Sequence, residues 1–479
     1  AAKKVLGKSK LIEDVGKEKY DQIDKLYKKN LKKLVDYNMM DCILVYDILY
    51  KGTLLDLTIQ RSLITGMPLD RVSASIASLD MLYLPEARKK KLVCPTSVFK
   101  IKEKPITGGY VMESKPGIYD NTLILDFKSL YPSIIRTFNI DPSSYSSKIR
   151  RNSIKTPANV YFKKEIGVLP SIIQTLWEHR EKARKDKNEL ARWAIKILMN
   201  SFFGVLANQN CRFFNPKIAN SITLFGQDIL KRTKNFLEKE GCEVIYQDTD
   251  SSFINSNIEN YNQASELGEE LEKKINLEFD KFVNKKYGLK SFLEMEFEKC
   301  YIRFLMPRVR SGTAGAKKRY AGLMKKDGKE EIQFVGLEVM RSDWTEAAKE
   351  FQQKLFDKIF HKEDPTKFIK EYVKDIQNGK IDTKLVYTKS LRKRPEEYTK
   401  TTPPHVKAAR KLKEIKSSKI EYLITMEGPE PKENLVHRID YKHYIDKQIK
   451  PIANAILEFY GISFEEVIEG KKQKSLFEF

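Results

Sequence analysis

The stretch TLILDFKSLYPSII, residues 122–135, decides the fold of this chain. A run of β-forming apolar residues leads into Asp126, and a second apolar segment follows at once. Turn signals before the run predict a strand, with residues 110–112 as a neighbouring β segment. A carboxylate at the end of a buried strand is well placed to face a cleft, although Asp126 could instead cap the segment that follows it.

A predicted β-hairpin supplies two more carboxylates. Residues 244–246 and 252–254 are short β runs, and the QDTDS sequence between them, residues 247–251, is typical of a turn. Asp248 and Asp250 are two residues apart, so an extended hairpin would direct both to one side, where they can approach Asp126. Three such carboxylates without His or Cys suit two Mg²⁺ ions that also bind phosphates. The alternative is a plain polar turn.

A helical hairpin is predicted over residues 169–207, where the polar sequence KDKN divides two helices. Arg180 and Arg184 share a face of the first helix, and Lys196 and Asn200 share a face of the second. Packed together, the helices would converge three cations and an amide on a groove suited to a triphosphate. The alternative is a solvated surface. The aromatic pair at 202–203 would either stack on a base pair or pack in the core.

Composition narrows the class of partner. The 479 residues correspond to about three domains of about 150 residues each, and the net charge is +23. This charge favours nucleic acid as the partner over an anionic membrane surface. All apolar runs are shorter than the roughly 18 residues of a membrane span, so we expect a soluble protein and no membrane partner. The five cysteines lack CxxC spacing, which argues against a zinc site and fits a reducing cytoplasm.

Three motifs, in order, resemble those of family B DNA polymerases. They are DFKSLYPSII (126–135), KILMNSFFG (196–204) and YQDTDS (246–251). Lesser matches are GGY at 108–110, KKRY at 317–320, GLEVMR at 336–341 and PPHVKAAR at 403–410. The resemblance covers nearly the whole chain and is strongest to bacterial members. It implies a DNA-directed DNA polymerase that acts on primer–template DNA and dNTPs, in repair or translesion replication.

The resemblance also implies roles for individual residues. Asp126 and Asp250 would hold two Mg²⁺ ions, with help from Asp248 and from the backbone carbonyl of Phe127. Tyr131 matches the steric gate that excludes a ribose 2′-hydroxyl. The positions that match triphosphate-binding residues are Arg180, Lys196 and Asn200, with Arg184 where the family often has Lys. The residues that match a loop at the primer terminus are Lys317, Lys318, Arg319 and Tyr320, whose basic and aromatic character fits phosphate contacts.

Three departures from the family pattern qualify this resemblance. Phe203 stands where the family usually has Tyr, and it keeps the ring without the hydroxyl. Gln247 stands in place of Gly, and we expect it to make the hairpin bulkier beside the primer end. Tyr37 and Asp41 match the third exonuclease motif, but residues 1–36 contain neither of the other two. We therefore expect the chain to be a fragment of a longer, proofreading protein and to lack 3′–5′ exonuclease activity itself.

The implied fold class is α+β, in the right-hand arrangement of palm, fingers and thumb. The predicted domains are an exonuclease remnant (1–60), a palm in two parts (61–149 and 207–345), fingers (150–206) and a helical thumb (346–479). We expect a monomer in a bacterial cytoplasm, associated with the nucleoid.

The last residues resemble the peptide with which bacterial polymerases bind a sliding clamp. In this interpretation Leu476 and Phe477 fill an apolar pocket and Gln473 makes a positioning hydrogen bond. The alternative is that the terminal phenylalanines pack on the thumb.

Two rival functions are kept beside the main one. Another two-metal polymerase, such as a reverse transcriptase or a protein-primed enzyme, would use the same acids. A nucleic-acid-binding protein on a catalytically decayed polymerase fold would keep only the basic surface, and the presence of all three aspartates argues against it.

Overall fold

The computed structural model describes residues 2–12, 17–99, 101, 105–309, 312, 314–412, 414–415 and 418–470. The chain forms two compact units. The central unit comprises residues 49–114 and 120–301, and the carboxy-terminal unit comprises residues 1–48, 115–119 and 302–479. The division into exonuclease remnant, palm, fingers and thumb stays a prediction. The proposed clamp-binding residues Gln473, Leu476 and Phe477 lie outside the described residues.

Helices form the first part of the chain. They are α1 (Ala2–Leu6), α2 (Lys17–Lys29) and α3 (Leu31–Lys51). None of the described helices combines the length and the apolar character that a membrane crossing requires.

The central unit contains an antiparallel sheet surrounded by helices. Its helices are α4 (Leu54–Thr65), α5 (Ser75–Lys89), α6 (Leu130–Thr137), α7 (Val168–Lys185), α8 (Glu189–Leu206), α9 (Pro216–Lys239) and α10 (Tyr261–Tyr287). Its strands are β1 (Gly117–Phe127, from residue 120 onward), β2 (Tyr145–Ser146), β3 (Ser153–Lys155), β4 (Tyr161–Lys163), β5 (Glu243–Asp248), β6 (Ser251–Asn255) and β7 (Met295–Met306, up to residue 301). The main sheet has the order β5-β6-β1-β7, and β2-β4-β3 form a small second sheet.

Local sequence explains where these elements begin. Asn188 ends the polar divider between α7 and α8, and its side chain accepts a hydrogen bond from the backbone N–H of Ala191. This confirms the predicted helical hairpin, and β5 and β6 confirm the predicted β-hairpin. Residues 110–112, by contrast, form no strand: Val111 makes only a single bridge to Asp248. Glycines at 108 and 109 precede this segment, and glycine weakens strand formation.

The core of the central unit is rich in aromatic rings. Phe138 and Phe225 stack with their ring centroids 3.8 Å apart. Phe202 is fully buried, which places this ring in the core, whereas Phe203 is half-buried. The apolar face of α8 and that of α9 both pack in this core, which joins the sheet and the helical hairpin into one packed body.

The carboxy-terminal unit has its own apolar core. The end of β7 pairs with β8 (Tyr320–Lys326), which pairs with β9 (Lys329–Val335). Its further helices are α11 (Glu346–Phe360), α12 (Thr366–Gln377), α13 (Pro404–Ala409), α14 (Tyr441–Tyr444), α15 (Lys450–Leu457) and α16 (Phe464–Glu469). The predicted thumb over residues 346–479 is not wholly helical, because β10 (Tyr387–Ser390), β11 (Lys419–Thr425) and β12 (Gly428–Pro431) form a sheet. The reason is visible in β11, where buried and exposed residues alternate along KIEY.

Candidate active site

Adjacent strands bring Asp126 and Asp250 to one end of the central sheet. Strand β1 pairs antiparallel with β6, and Asp126 lies opposite Ser251 in this register. Asp250 occupies the turn just before β6, where its carbonyl accepts a hydrogen bond of 3.0 Å from the backbone N–H of Phe127. The sequence predicted that these two acids lie close together, and the backbone contacts between β1 and the hairpin bring them there.

A glycine contact braces the turn that carries Asp250. Thr249 has a left-handed backbone with φ of 60°, and its N–H donates to the carbonyl of Tyr110 at 2.8 Å. A Cβ atom at Gly109 would lie 3.0 Å from Thr249 Cγ2 and 3.2 Å from the hydroxyl oxygen of Tyr131. A side chain at this position would make tight contacts with both residues, and the glycine at the second position of GGY avoids them.

A cavity of about 430 Å³ lies beside these acids in the central unit. The predicted site residues that line it are Asp126, Phe127, Tyr131, Arg180, Lys196, Asn200 and Asp250. The structure thus brings residues from β1, α6, α7, α8 and the hairpin turn into one cleft. A cleft with converging titratable groups is the usual form of an active site.

The acids in this cavity repel one another. Burial and the negative charges of Asp250 and Glu298 together raise the pKa of Asp126 to about 7. The positive charge of Lys196 opposes this rise without cancelling it. A buried carboxyl with a raised pKa is a group that a bound cation would relieve.

Two neighbours position Arg180 at the cavity wall. One guanidinium nitrogen, Nη1, donates to the hydroxyl of Ser129 at 3.2 Å, and the guanidinium carbon lies 5.5 Å from the ring centroid of Trp177. Burial lowers the pKa of Arg180. Lys196 and Asn200 reach the same cavity from exposed positions one turn apart on α8. These side chains offer charged and amide donors to an anionic ligand.

Tyr131 lies between two close neighbours. Its ring centroid is 4.7 Å from that of Phe203, and a Cβ atom at Gly226 would lie 3.4 Å from its ring. Burial and the charge of Asp250 raise the pKa of its hydroxyl. The ring therefore has little freedom to move aside.

Two predicted residues lie elsewhere. Among the described residues Asp248 is not part of the cavity lining, and its carboxylate accepts hydrogen bonds from the hydroxyls of Thr249 at 2.9 Å and Tyr246 at 3.3 Å. The left-handed turn at Thr249 breaks the alternation of an extended hairpin, so Asp248 and Asp250 differ in environment. Arg184 is exposed and pairs with Glu181 on its own helix at 2.6 Å.

The expectation for Gln247 is wrong. Its side chain is fully buried, and its amide nitrogen donates to the carbonyl of Leu230 at 3.0 Å and to the hydroxyl of Ser252 at 2.9 Å. The added bulk therefore lies between the hairpin and α9 inside the unit, and not beside the exposed tip.

Sequence reasoning missed a row of acids at the start of β7, where Glu294 lies just before the strand and Glu296 and Glu298 lie on it. Glu294 and Glu296 both pair with the ammonium of Lys128, at 3.1 and 3.2 Å, and Glu296 and Lys128 line the cavity. Glu298 continues the row and acts on the pKa of Asp126. The signal was present as alternating glutamates at 294, 296 and 298, since such spacing places side chains on one face of a strand.

The basic loop at 317–320 belongs to the carboxy-terminal unit. Lys317 and Lys318 are exposed, whereas Arg319 and Tyr320 are half-buried. Arg319 forms an ion pair with the buried side chain of Glu338. The structure therefore separates this predicted group into two exposed cations and two residues that pack into the unit.

The predicted exonuclease residues lie on α3, in the carboxy-terminal unit. Tyr37 is buried, and the Asp41 carboxylate accepts a hydrogen bond of 2.8 Å from Lys10. Burial raises the pKa of Asp41, but the hydrogen bonds from Lys10 and Tyr37 outweigh this and lower it. This acid has a cationic partner within the chain.

The acids of the cavity suit Mg²⁺ that takes its other ligands from water and from substrate phosphates. Within the described part of the chain, no group of three or more His, Cys, Asp or Glu side chains is arranged to hold a metal ion by itself. Mg²⁺ rarely uses such a cage, because it keeps waters and takes one or two carboxylates together with substrate phosphates. Two mutually repelling aspartates with hard oxygen atoms match that requirement.

Comparison with known proteins identifies the family. The model of DNA polymerase family B matches residues 71–458, and the chain belongs to this family. Its sequence is 37% identical over 486 residues to DNA polymerase II of Escherichia coli (strain K12), covering 98% of this chain and 62% of that protein. It is 29% identical over 472 residues to a DNA polymerase of Pyrococcus glycovorans, covering 90% of this chain and 58% of that protein.

A solved structure shows the same fold. The family B DNA polymerase of Pyrobaculum calidifontis matches with a TM-score of 0.64 and 28% sequence identity, over 92% of this chain and 58% of that one. The α+β fold predicted from the sequence is confirmed. The chain spans about six tenths of the length of these relatives.

Proposed function

We propose that this chain catalyses template-directed DNA synthesis, the addition of dNTPs to a primer 3′-end. The observation that supports it best is the single cavity in which Asp126 and Asp250 meet the donors Arg180, Lys196 and Asn200. Acids beside cations, in a chain of this family, match the needs of phosphoryl transfer, where positioning and charge neutralisation supply most of the catalysis.

In the proposed reaction the primer 3′-oxygen attacks the α-phosphorus of the dNTP, and pyrophosphate leaves. Arg180, fixed by Ser129 and Trp177, binds the triphosphate together with Lys196 and Asn200. Tyr131 lies under the incoming sugar, where its restrained ring leaves no space for a 2′-hydroxyl.

We propose that Asp126 and Asp250 bind two Mg²⁺ ions, with the Phe127 carbonyl and Asp248 in supporting roles. When bound, such ions activate the attacking oxygen and neutralise charge on the leaving phosphates. The repulsion between Asp126 and Asp250 supports this assignment, since the acids are placed together at a cost that a cation offsets.

Primer extension tests the proposal. The chain, a labelled primer on a DNA template, dNTPs and Mg²⁺ should give products of increasing length, and chelation of the metal should stop them. Binding of the duplex without incorporation would favour the decayed fold. Equal extension on an RNA template would favour a reverse transcriptase, and extension without a nucleic-acid primer would favour protein priming.

We further propose that this chain does not degrade primers from the 3′-end. Asp41 is held by Lys10, and one carboxylate does not hold two metal ions. Mispaired primers incubated with Mg²⁺ and no dNTPs should stay intact, and shortening of the primer would refute this.

The cellular setting is also a proposal: DNA repair or translesion synthesis by a monomer at a bacterial nucleoid, with Gln473, Leu476 and Phe477 binding the sliding clamp. A short anchor of this kind reaches about micromolar affinity, so the clamp ring would supply the processivity. Deleting residues 473–479 should abolish stimulation by a loaded clamp and leave basal synthesis intact. Equal stimulation of both proteins would remove the clamp from the proposal.

A further inference from the structure

The basic loop at 317–320 contains one cation that is turned inward. Lys317 and Lys318 are exposed, but the Arg319 side chain keeps only 25% of its accessible surface. Its Nε atom is buried without a hydrogen-bond partner, and its Nη2 atom pairs with Glu338. The charge of Arg319 is thus paired inside the protein.

The acid that receives Arg319 is built into the unit. The Glu338 side chain is 4% exposed, and its second oxygen accepts a hydrogen bond of 2.8 Å from the amide of Gln352 on α11. The other end of the same amide accepts from the backbone N–H of Val339 at 2.8 Å. A chain of contacts therefore joins the loop, the segment after β9 and α11.

A glycine lets these two segments approach. Gly336 follows β9 with φ of 63°, and a Cβ atom there would lie 2.0 Å from the carbonyl oxygen of Lys318. Tyr320 and Val335, which begin β8 and end β9, are paired in register. The backbone that bears Lys318 is thus set directly against the backbone that leads to Glu338.

We propose that Glu338 and Gln352 are positioning residues for DNA binding, which act through Arg319 to hold Lys317 and Lys318 toward the phosphates of the duplex. The inference rests on the proposed function and assigns Arg319 an internal role in place of a phosphate contact. A buried, paired acid keeps one arginine fixed, and the fixed arginine sets the conformation of the exposed lysines beside it.

The direction in which one substitution changes the DNA affinity distinguishes a positioning role from a purely electrostatic one. Replacing Glu338 by Gln removes a negative charge near the basic loop, so by charge alone DNA should bind more tightly. If Arg319 were a phosphate ligand restrained by Glu338, the same change would release it and again strengthen binding. Positioning predicts the opposite result.

The experiment measures primer–template affinity by fluorescence anisotropy over a series of salt concentrations. Glu338→Gln should weaken binding by about tenfold and lower the salt slope by roughly one to two units, as one or two phosphate contacts are misplaced. Gln352→Met should act in the same sense with a smaller effect. The KM for dNTP should stay unchanged in both variants.

Ile369→Ala, which trims the buried core of this unit, is the control for lost stability. It should lower the melting temperature and leave the salt slope unchanged. Binding by Glu338→Gln that equals or exceeds wild type would overturn the inference, as would a loss no greater than that of Ile369→Ala. Wild-type protein that fails to bind primer–template would instead refute the proposed function, and the inference with it.

Discussion

The two units bury acids in opposite ways. In the central unit, burial and the charge of Asp250 raise the pKa of Asp126 to about 7. In the carboxy-terminal unit, Glu338 is buried against the guanidinium of Arg319 and the amide of Gln352. Glu338 has partners that neutralise and bind its carboxylate, whereas Asp126 lies beside other negative charges.

This difference indicates what each acid is for. A buried charge with internal partners holds segments together, and removing one partner is costly. A buried charge beside like charges destabilises the fold, and it is retained when a ligand supplies the missing counter-charge. The surroundings of a buried carboxylate thus distinguish a structural region from a region that is completed by ligands.

The largest expected effect concerns the repelled acids. Asp126→Asn or Asp250→Asn should lower the rate of primer extension by at least about 10²- to 10³-fold, the loss seen when a stabiliser of developing charge is removed. DNA affinity should change little. Single-turnover extension measures this, with Glu240→Gln, a surface partner of Lys274, as the control. Near wild-type rates in both Asn variants would refute the proposal that these two acids bind the catalytic metal ions.

The second prediction concerns the ring beside these acids. Tyr131→Val should reduce discrimination between dNTP and rNTP by roughly tenfold or more, because a restrained ring is replaced by a small side chain. The ratio of kcat/KM for the two nucleotides measures it. Phe203→Leu, which removes the ring packed on Tyr131, should give an intermediate loss. Unchanged discrimination in Tyr131→Val would exclude the gate.

A third prediction tests another satisfied acid, Glu430. Burial raises its pKa, but hydrogen bonds from His437, the Val436 backbone and Lys411 outweigh this and lower the pKa to about 2, from an ordinary 4.5. Its stabilisation is therefore present above pH 4.5 and lost as the pH falls toward 2. Glu430→Gln should cost roughly 2 kcal/mol at neutral pH. Urea unfolding of both proteins across this range should show the difference shrinking, and a constant difference would refute the assignment.

The smallest expected effect is a gain in stability. Because the folded state raises the pKa of Asp126 from 3.8 to about 7, this carboxyl lowers the stability increasingly as the pH rises from 3.8, and the loss is complete above about 7. Asp126→Asn should therefore stabilise the metal-free chain by about 1 kcal/mol at alkaline pH. The gain should fade as the pH drops from 7 toward 3.8, where Asp126 is protonated in both the folded and the unfolded chain. Thermal unfolding in a chelator measures it, and a destabilised variant at alkaline pH would contradict the repulsion.

Much of this site could be predicted from the sequence, because local patterns place it. The apolar run before Asp126 and the short β runs around Asp250 specify adjacent strands, and spacing of four residues specifies the helical donors. The environments of Asp248 and Gln247 could not be predicted, since a left-handed residue in the turn decides which side chains reach the cavity. The partner of Arg319 was hidden because it lies 19 residues away, across a hairpin closed by Gly336.

Gly109 makes two features of the cavity mechanically dependent. Its missing side chain is the space shared by the turn that carries Asp250 and by the hydroxyl of Tyr131. A Cβ atom here would make tight contacts with Thr249 and with Tyr131 at the same time, so a substitution would disturb the turn and the ring together. A substitution at residue 109 that alters the nucleotide pocket would also affect the turn that carries Asp250. The hydrogen atom of glycine, in place of a methyl group, avoids both contacts.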